Sequence, residues 1–389
     1  MVRLAKTERK AQKDDEEQRR LEQERHIFDA LPPFDEDQLA PNEIWWSQHF
    51  EWLKDRGYLL RPRYAPNWVP SWKGTKKSRF SCEDSNIPIF ASKLLDATRL
   101  SDGAYVMLKI IKPSRHPYEV EIGQYFSSES LRADPANHCV PMYEVIPIPE
   151  EEQRVIIVMP LLQDYASPLF CTFGEVVECF RQLFEGLQFM HKHRVAHRDC
   201  TNVNIMMDAS NLCIDALHPV QPIMKRDFSG YARFRKRTQR PPKYYFIDFG
   251  LSRRYDPSII KPLEVPIWGG DKGVPEFQGS NEPRDPFATD VFYLGNAIRT
   301  AFLEKNRGFE FMLSLITDMV QVDPSKRPTM DDVVHRFENI RKSLTMSKLR
   351  SRIVNKGETM FDSVPRAMLH WTQQLIFFAG RLSPVLPPP

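Results

Sequence analysis

The stretch HRVAHRDCTNVNIMMD, residues 193–208, places His197, Arg198 and Asp199 side by side, with Asn204 five positions beyond the aspartate. Val195 and Ala196 precede this cluster and Ile205-Met206-Met207 follow it. Charged and amide side chains enclosed by apolar neighbours are costly to bury unless each has a partner. The pattern therefore points to a loop between two buried elements, with its polar groups turned toward a common ligand. A second polar cluster, YYFIDFGLSRRY at 244–255, ends an apolar run on Asp248, and Gly250 frees the backbone just beyond. A carboxylate at 248 and an amide at 204 are hard oxygen donors that suit Mg²⁺, which keeps water and phosphate oxygens as its other ligands. Asp199, a separate carboxylate, would accept the proton of an incoming hydroxyl. That division of labour is the one phosphoryl transfer needs.

With 389 residues, 41% hydrophobic and 27% charged, the chain has the composition of a globular protein and can bury one large core or two adjoining ones. A formal charge of +3 is too small to mark a nucleic-acid binder, and none is expected as a partner. The six cysteines form no CxxC pair and no spacing with histidine that would hold a metal. Reduced thiols in an intracellular protein, cytoplasmic or nuclear, fit that usage. The first twenty residues are highly charged, unlike a secretory signal, and no apolar run approaches the roughly 20 residues of a membrane span.

Strand patterns come early and helical ones late, which predicts an α+β fold of two lobes. Residues 91–111 read as a hairpin around Ser101-Asp102-Gly103, and 155–162 as a short buried strand stopped by Pro160. Residues 172–193 carry one apolar helical face, with Thr172 and Glu175 at capping-box spacing. The expected boundaries are a charged and Trp-rich extension over 1–75, a small β-rich lobe over 76–163, a larger helical lobe over 164–343, and a basic, amphipathic tail over 344–389. Residues 1–25, with eight basic and seven acidic side chains, suggest an exposed helix. Five of the seven tryptophans fall between Ile44 and Trp72, a density that suggests docking onto a larger body, with a partner-binding surface as the other reading. Between Lys225 and Arg240, in a long connection over 209–243, seven basic residues face one acid. That insert reads as a solvated loop or as a phosphate- or nucleic-acid-binding element. The tail reads as a helix folded back on the large lobe, or as a contact with an anionic membrane surface.

On these residues the chain resembles a eukaryotic-type protein kinase. HRDCTNVN is similar to the catalytic loop H-R-D-x-x-x-x-N, and the Asp248-Phe249-Gly250 run to the metal-binding D-F-G. HPYEVEIG and PPKYYFIDFGLSRRYD further resemble kinase-like proteins of fungi. The resemblance implies a bilobal fold and ATP with Mg²⁺ as cofactors. It also implies transfer of the γ-phosphoryl group to a protein hydroxyl, more in the manner of a serine/threonine than a tyrosine kinase. It assigns Asp199 as base, Asn204 and Asp248 as metal ligands, Arg198 as an anchor for the downstream segment, and His197 as a prop beneath the loop. YVMLKII resembles the strand that presents the phosphate-binding lysine, here Lys109. Glu121 is its implied partner, with Glu119 ranked second. Met159, Pro160 and Leu162 fall where the nucleotide base would bind. Glu276 would pair with Arg327, and Asp290 would hold the catalytic loop.

Three features depart from the pattern. Residues 76–102 contain no glycine, so the phosphate-covering loop G-x-G-x-x-G is missing. Thr201 stands where a lysine usually neutralises the γ-phosphate. GGDKGVPE lacks the usual threonine ahead of Pro275-Glu276. These departures keep open a non-catalytic alternative, a pseudokinase that binds nucleotide or protein partners.

Overall fold

The computed structural model describes residues 37–88, 90–265, 273–278 and 280–381. The charged segment over 1–25 lies outside the described residues, as does the first half of GGDKGVPE. The architecture is mixed α and β, built around two apolar cores.

The smaller core lies under a five-stranded antiparallel sheet. Helices α1 (Ile44–Gln48) and α2 (Phe50–Asp55) lead into strand β1 (Tyr58–Leu60), followed by β2 (Leu94–Arg99) and β3 (Tyr105–Ile111). Helix α3 (Glu119–Phe126) comes next, then β4 (Glu144–Pro147) and β5 (Val155–Pro160), in the sheet order β1-β2-β3-β5-β4. The β2–β3 hairpin turns on Gly103 at φ +72°, with the Asp102 carboxylate accepting from the Ala104 N–H. Alternation along β3 sends Val106, Leu108 and Ile110 into the small core and Lys109 to the opposite face.

The expected boundary at residue 75 does not hold. β1 pairs with β2, and Trp46, Phe50, Leu53, Tyr58 and Tyr64 are buried in the same core as Val106 and Leu108. Burial of that much aromatic surface makes the Trp-rich segment part of the sheet layer. A 33-residue connection, 61–93, then separates β1 from β2.

The larger core is mainly helical. A three-stranded sheet of β6 (Gln163–Asp164), β8 (Ile205–Asp208) and β9 (Lys243–Phe246) borders helix α4 (Phe173–Lys192). Thr172 and Glu175 close the capping box at the start of α4, and Val176, Phe180, Leu183, Phe184, Leu187 and Met190 are buried on its inner side. Strands β7 (Val195–Ala196) and β10 (Arg253–Arg254) form a short ladder. Helices α5 (Pro286–Ile298), α6 (Leu313–Met319), α7 (Met330–Ser343) and α8 (Met346–Arg350) complete the body, and a last helix, α9 (Met360–Ala379), folds back onto it. Among the described residues no helix is long and apolar enough to cross a membrane.

The insert over 209–243 is tied to the rest of the protein through Arg226 and Arg237. Arg237 is buried and donates to the Tyr165 carbonyl and the Tyr244 hydroxyl, each at 3.0 Å. Arg233 pairs with Asp215 at 2.8 Å, and Arg226 pairs with Asp96 at 2.6 Å. Arg226 and Arg237 thus turn toward the body, while Arg233, Arg235 and Arg240 stay exposed.

Candidate active site

The loop between β7 and β8 is held from below by α5. Asp290 is fully buried and its two carboxylate oxygens accept the backbone N–H groups of His197 at 2.7 Å and Arg198 at 2.6 Å. His197 is also fully buried. Its Nε2 donates to the Ile247 carbonyl at 3.1 Å, and its Nδ1 accepts the Asp199 N–H at 3.2 Å. Burial lowers its pKa, so the imidazole is neutral near pH 7, as that donor–acceptor pattern requires.

Two motif residues adopt positive φ without being glycine, Arg198 at +66° and Asp248 at +64°. Such conformations cost of order 1–3 kcal/mol and persist where the surroundings dictate them. At Arg198 the guanidinium meets Glu264 at 3.2 Å and the carbonyls of Leu251 and Val265, so the residue braces the segment after the Asp248 motif. At Asp248 the side chain accepts from the Gly250 N–H at 3.2 Å, which caps a single 3₁₀ turn. Gly250 has a packing reason of its own. A Cβ there would stand 2.9 Å from His116 Nδ1, 3.1 Å from Asp248 Oδ1 and 3.3 Å from Glu119 Oε2.

Pairing of β8 with β9 brings the two amide and carboxylate candidates together. The Ile247 N–H donates to the Asn204 carbonyl at 3.0 Å, so Asn204 and Asp248 sit at adjoining strand ends. Asn204 Nδ2 donates to Asp199 Oδ2 at 2.8 Å and to the Asp199 carbonyl at 2.9 Å, which leaves Oδ1 as the acceptor of this amide. Asp199 opens onto a cavity of about 470 Å³ that Thr201, Tyr293, Asn296 and Thr300 also line.

Lys109 reaches across from the sheet and lies between two carboxylates, Glu119 and Asp248, with Asp248 Oδ1 at 2.9 Å. This corrects the expected partner. Glu119 is buried and faces Lys109, whereas Glu121 is exposed on the outer side of α3. Two residues along a helix differ by about 200° in direction, so only one of the pair can face the sheet. Burial alone would depress the Lys109 ammonium, but Glu119 and Asp248 outweigh it and raise its pKa. Burial would raise Asp248, yet Lys109 and the Gly250 N–H hold it below the usual carboxylate value. Both groups are therefore charged at neutral pH. Among the described residues no three or more His, Cys, Asp or Glu side chains form a metal-holding group. A divalent cation here would rest on one carboxylate and one amide, a donor set suited to an ion that keeps water and phosphate ligands.

Of the three nucleotide-base candidates, Met159 lies on the face of the sheet that carries Lys109. Met159 pairs with Met107, and Ile157 pairs with Lys109, so these four side chains share a face. Pro160 ends β5, and the Leu162 side chain is buried in the larger core.

One residue on this face was missed by the motif reading. Asp96 pairs with Met107 across β2–β3 and therefore stands in the row Asp96–Met107–Met159. It is almost fully buried, 3.0 Å from Arg61 Nε and 2.6 Å from Arg226. Arg61 also reaches Glu83 at 3.0 Å, His218 contacts Glu83 at 3.2 Å, and the Arg226 guanidinium lies 4.1 Å above the Tyr105 ring. An ionic cluster drawn from the 61–93 connection and the 209–243 insert thus covers part of this face. The signal was an aspartate inside the apolar strand LLDATR, which demands a buried cation. Elsewhere, Glu276 and Arg327 form a bidentate pair at 2.6 and 2.7 Å, with Thr289 donating to Glu276. No model of a known protein family matches the sequence.

Proposed function

We infer that the chain is a phosphotransferase of the protein-kinase type, with a small sheet lobe and a larger helical lobe, acting on a protein hydroxyl with ATP and Mg²⁺. The observation that supports this most is the approach of distant segments: Lys109 on β3 meets Glu119 on α3 and Asp248 at the end of β9, Asn204 holds Asp199 on one loop, and the Ile247 N–H joins the two groups through the Asn204 carbonyl. Lys109, raised in pKa and steered by Glu119, suits the α- and β-phosphates of a nucleotide. Asp199, oriented by Asn204 and open to the 470 Å³ cavity, is placed to take the proton of an acceptor hydroxyl. Asn204 Oδ1 and the ionised Asp248 would hold the metal, which when bound neutralises the charge of the transferring phosphoryl group. With Thr201 in place of a lysine, hydrogen bonding rather than charge supports that group from the loop side, which favours slow turnover.

A second reading has its own observation. The Asp96–Arg61–Arg226 cluster covers part of the sheet face that Lys109 and Met159 share, in the same cross-strand row as Met159, which suits a pseudokinase that displays its surfaces to partners. Labelled ATP with Mg²⁺ or Mn²⁺, offered to the intact protein, Asp199→Asn and Lys109→Met, separates the two. Transfer by the intact chain that falls at least about 100-fold in both variants is the expected result. Undiminished transfer by Asp199→Asn would sink the catalytic assignment. If millimolar Mg-ATP fails to raise the melting temperature of the intact protein, the pseudokinase reading replaces it, because a bound ligand must stabilise the folded state.

A further inference from the structure

Helix α9 is docked the wrong way round for a core helix. His370, Gln374 and Phe377, at i, i+4 and i+7, are its buried positions, and His370 Nε2 donates to the Arg350 carbonyl at 2.8 Å. The opposite side carries Phe361, Met368, Leu369, Trp371, Leu375 and Phe378, with Phe361 94%, Leu369 74% and Phe378 71% exposed. At 100° per residue this outer side is a half-cylinder that holds one polar side chain, Thr372, and no charge. It presents on the order of 1,000 Å² of apolar surface, against the roughly 300–600 Å² of the largest patch on a typical monomer.

The charge around the helix says what covers it. Residues 341–381 hold eight basic and two acidic side chains, a net +6 on a chain of +3, so the remaining residues sum to −3. Lys356 lies exposed just ahead of α9, Arg366 on its flank and Arg381 just past its end. Two copies meeting through this face would bring two such basic segments together, which opposes self-association. An anionic lipid surface reverses that sign. Asp362, Arg366, His370 and two glutamines fit a helix lying in the interfacial plane, and no helix among the described residues is apolar enough to span. We propose that α9 is an in-plane anchor that seats the protein on an anionic lipid surface. Its polar side binds the body, its apolar side enters the headgroup boundary, and the neighbouring lysine and arginine side chains contact lipid phosphates and carboxylates.

The test is co-sedimentation of the full chain with neutral phosphatidylcholine vesicles and with vesicles containing about one-third phosphatidylserine. The variant is Met368→Glu with Leu375→Glu, both on the outward side, with thermal melting and light scattering run alongside. The expected result is binding to the anionic vesicles at least about tenfold tighter than to the neutral ones, and weaker at high salt. The variant, with unchanged melting and a monomeric mass, is expected to lose at least about tenfold. The proposal is overturned if neither vesicle binds the parent chain, or if the folded variant binds equally well. It is overturned too by a dimeric mass that the variant abolishes, because the face then belongs to a second copy.

Discussion

Lys109 is held between two carboxylates of unequal burial, Glu119 at 4% side-chain exposure and Asp248 at 48%. The more enclosed partner fixes the direction of the ammonium, and the more open one leaves an oxygen edge toward solvent. Replacing Glu119 by Gln keeps the shape and removes the charge that steers Lys109. Loss of a charged hydrogen bond is worth about 1.5–3 kcal/mol, so on the phosphotransferase reading transfer falls about 10- to 100-fold. Glu121→Gln, on the exposed side of α3, leaves the rate within about twofold. Steady-state kinetics of the two variants decide between them, and a larger loss from Glu121→Gln would overturn the pairing. The motif spacing marked Asp199, Asn204, Asp248 and Lys109 directly. It left the glutamate ambiguous, since Glu119 and Glu121 are both acidic residues in one short segment.

At the scale of elements, the loop bearing Asp199 depends on α5 more than on its own ladder. Asp290 alone fixes two consecutive N–H groups of that loop, and Ser252 Oγ donates to the His197 carbonyl at 2.9 Å. The Glu276–Arg327 pair, with side chains 1% and 0% exposed, ties the 3₁₀ turn at Pro275–Phe277 to the one before α7, and Thr289 and the Ala288 carbonyl join it to the start of α5. Arg327→Met leaves Glu276 buried without its cation and is expected to cost about 3–5 kcal/mol. Urea denaturation reads this as a lower midpoint at unchanged slope. A loss below about 1 kcal/mol would mean that water reaches the pair. Helix α4 and the β2–β3 hairpin were legible because capping and turn chemistry involve residues within four positions of each other. Strand β1 was not legible. Three residues cannot show an alternating pattern, and its partner lies 33 residues downstream.

Across the whole molecule, Asp96 joins three regions distant in sequence: its own strand, the β1–β2 connection through Arg61, and the insert through Arg226. Removing the carboxylate leaves Arg61, 3% exposed, with Glu83 as its remaining anion and takes the carboxylate from Arg226. Asp96→Ala is therefore expected to destabilise by about 3–5 kcal/mol and to loosen the insert, seen as faster amide exchange over 215–231. Protection of the insert that survives the substitution would show that Arg237 and the neighbouring bridges hold it unaided. What the chain alone determined were features of short range: the capping box at Thr172, the turn at Gly103, the alternation of β3, and the identity of the polar residues at 197–204 and 248. What only the tertiary structure decided were the rotation of α3 that selects Glu119, the inward turn of Arg226 and Arg237 in the insert, and the outward apolar side of α9. Those depend on how one element is oriented against another, and a periodic pattern fixes which residues share a face without fixing which way that face points.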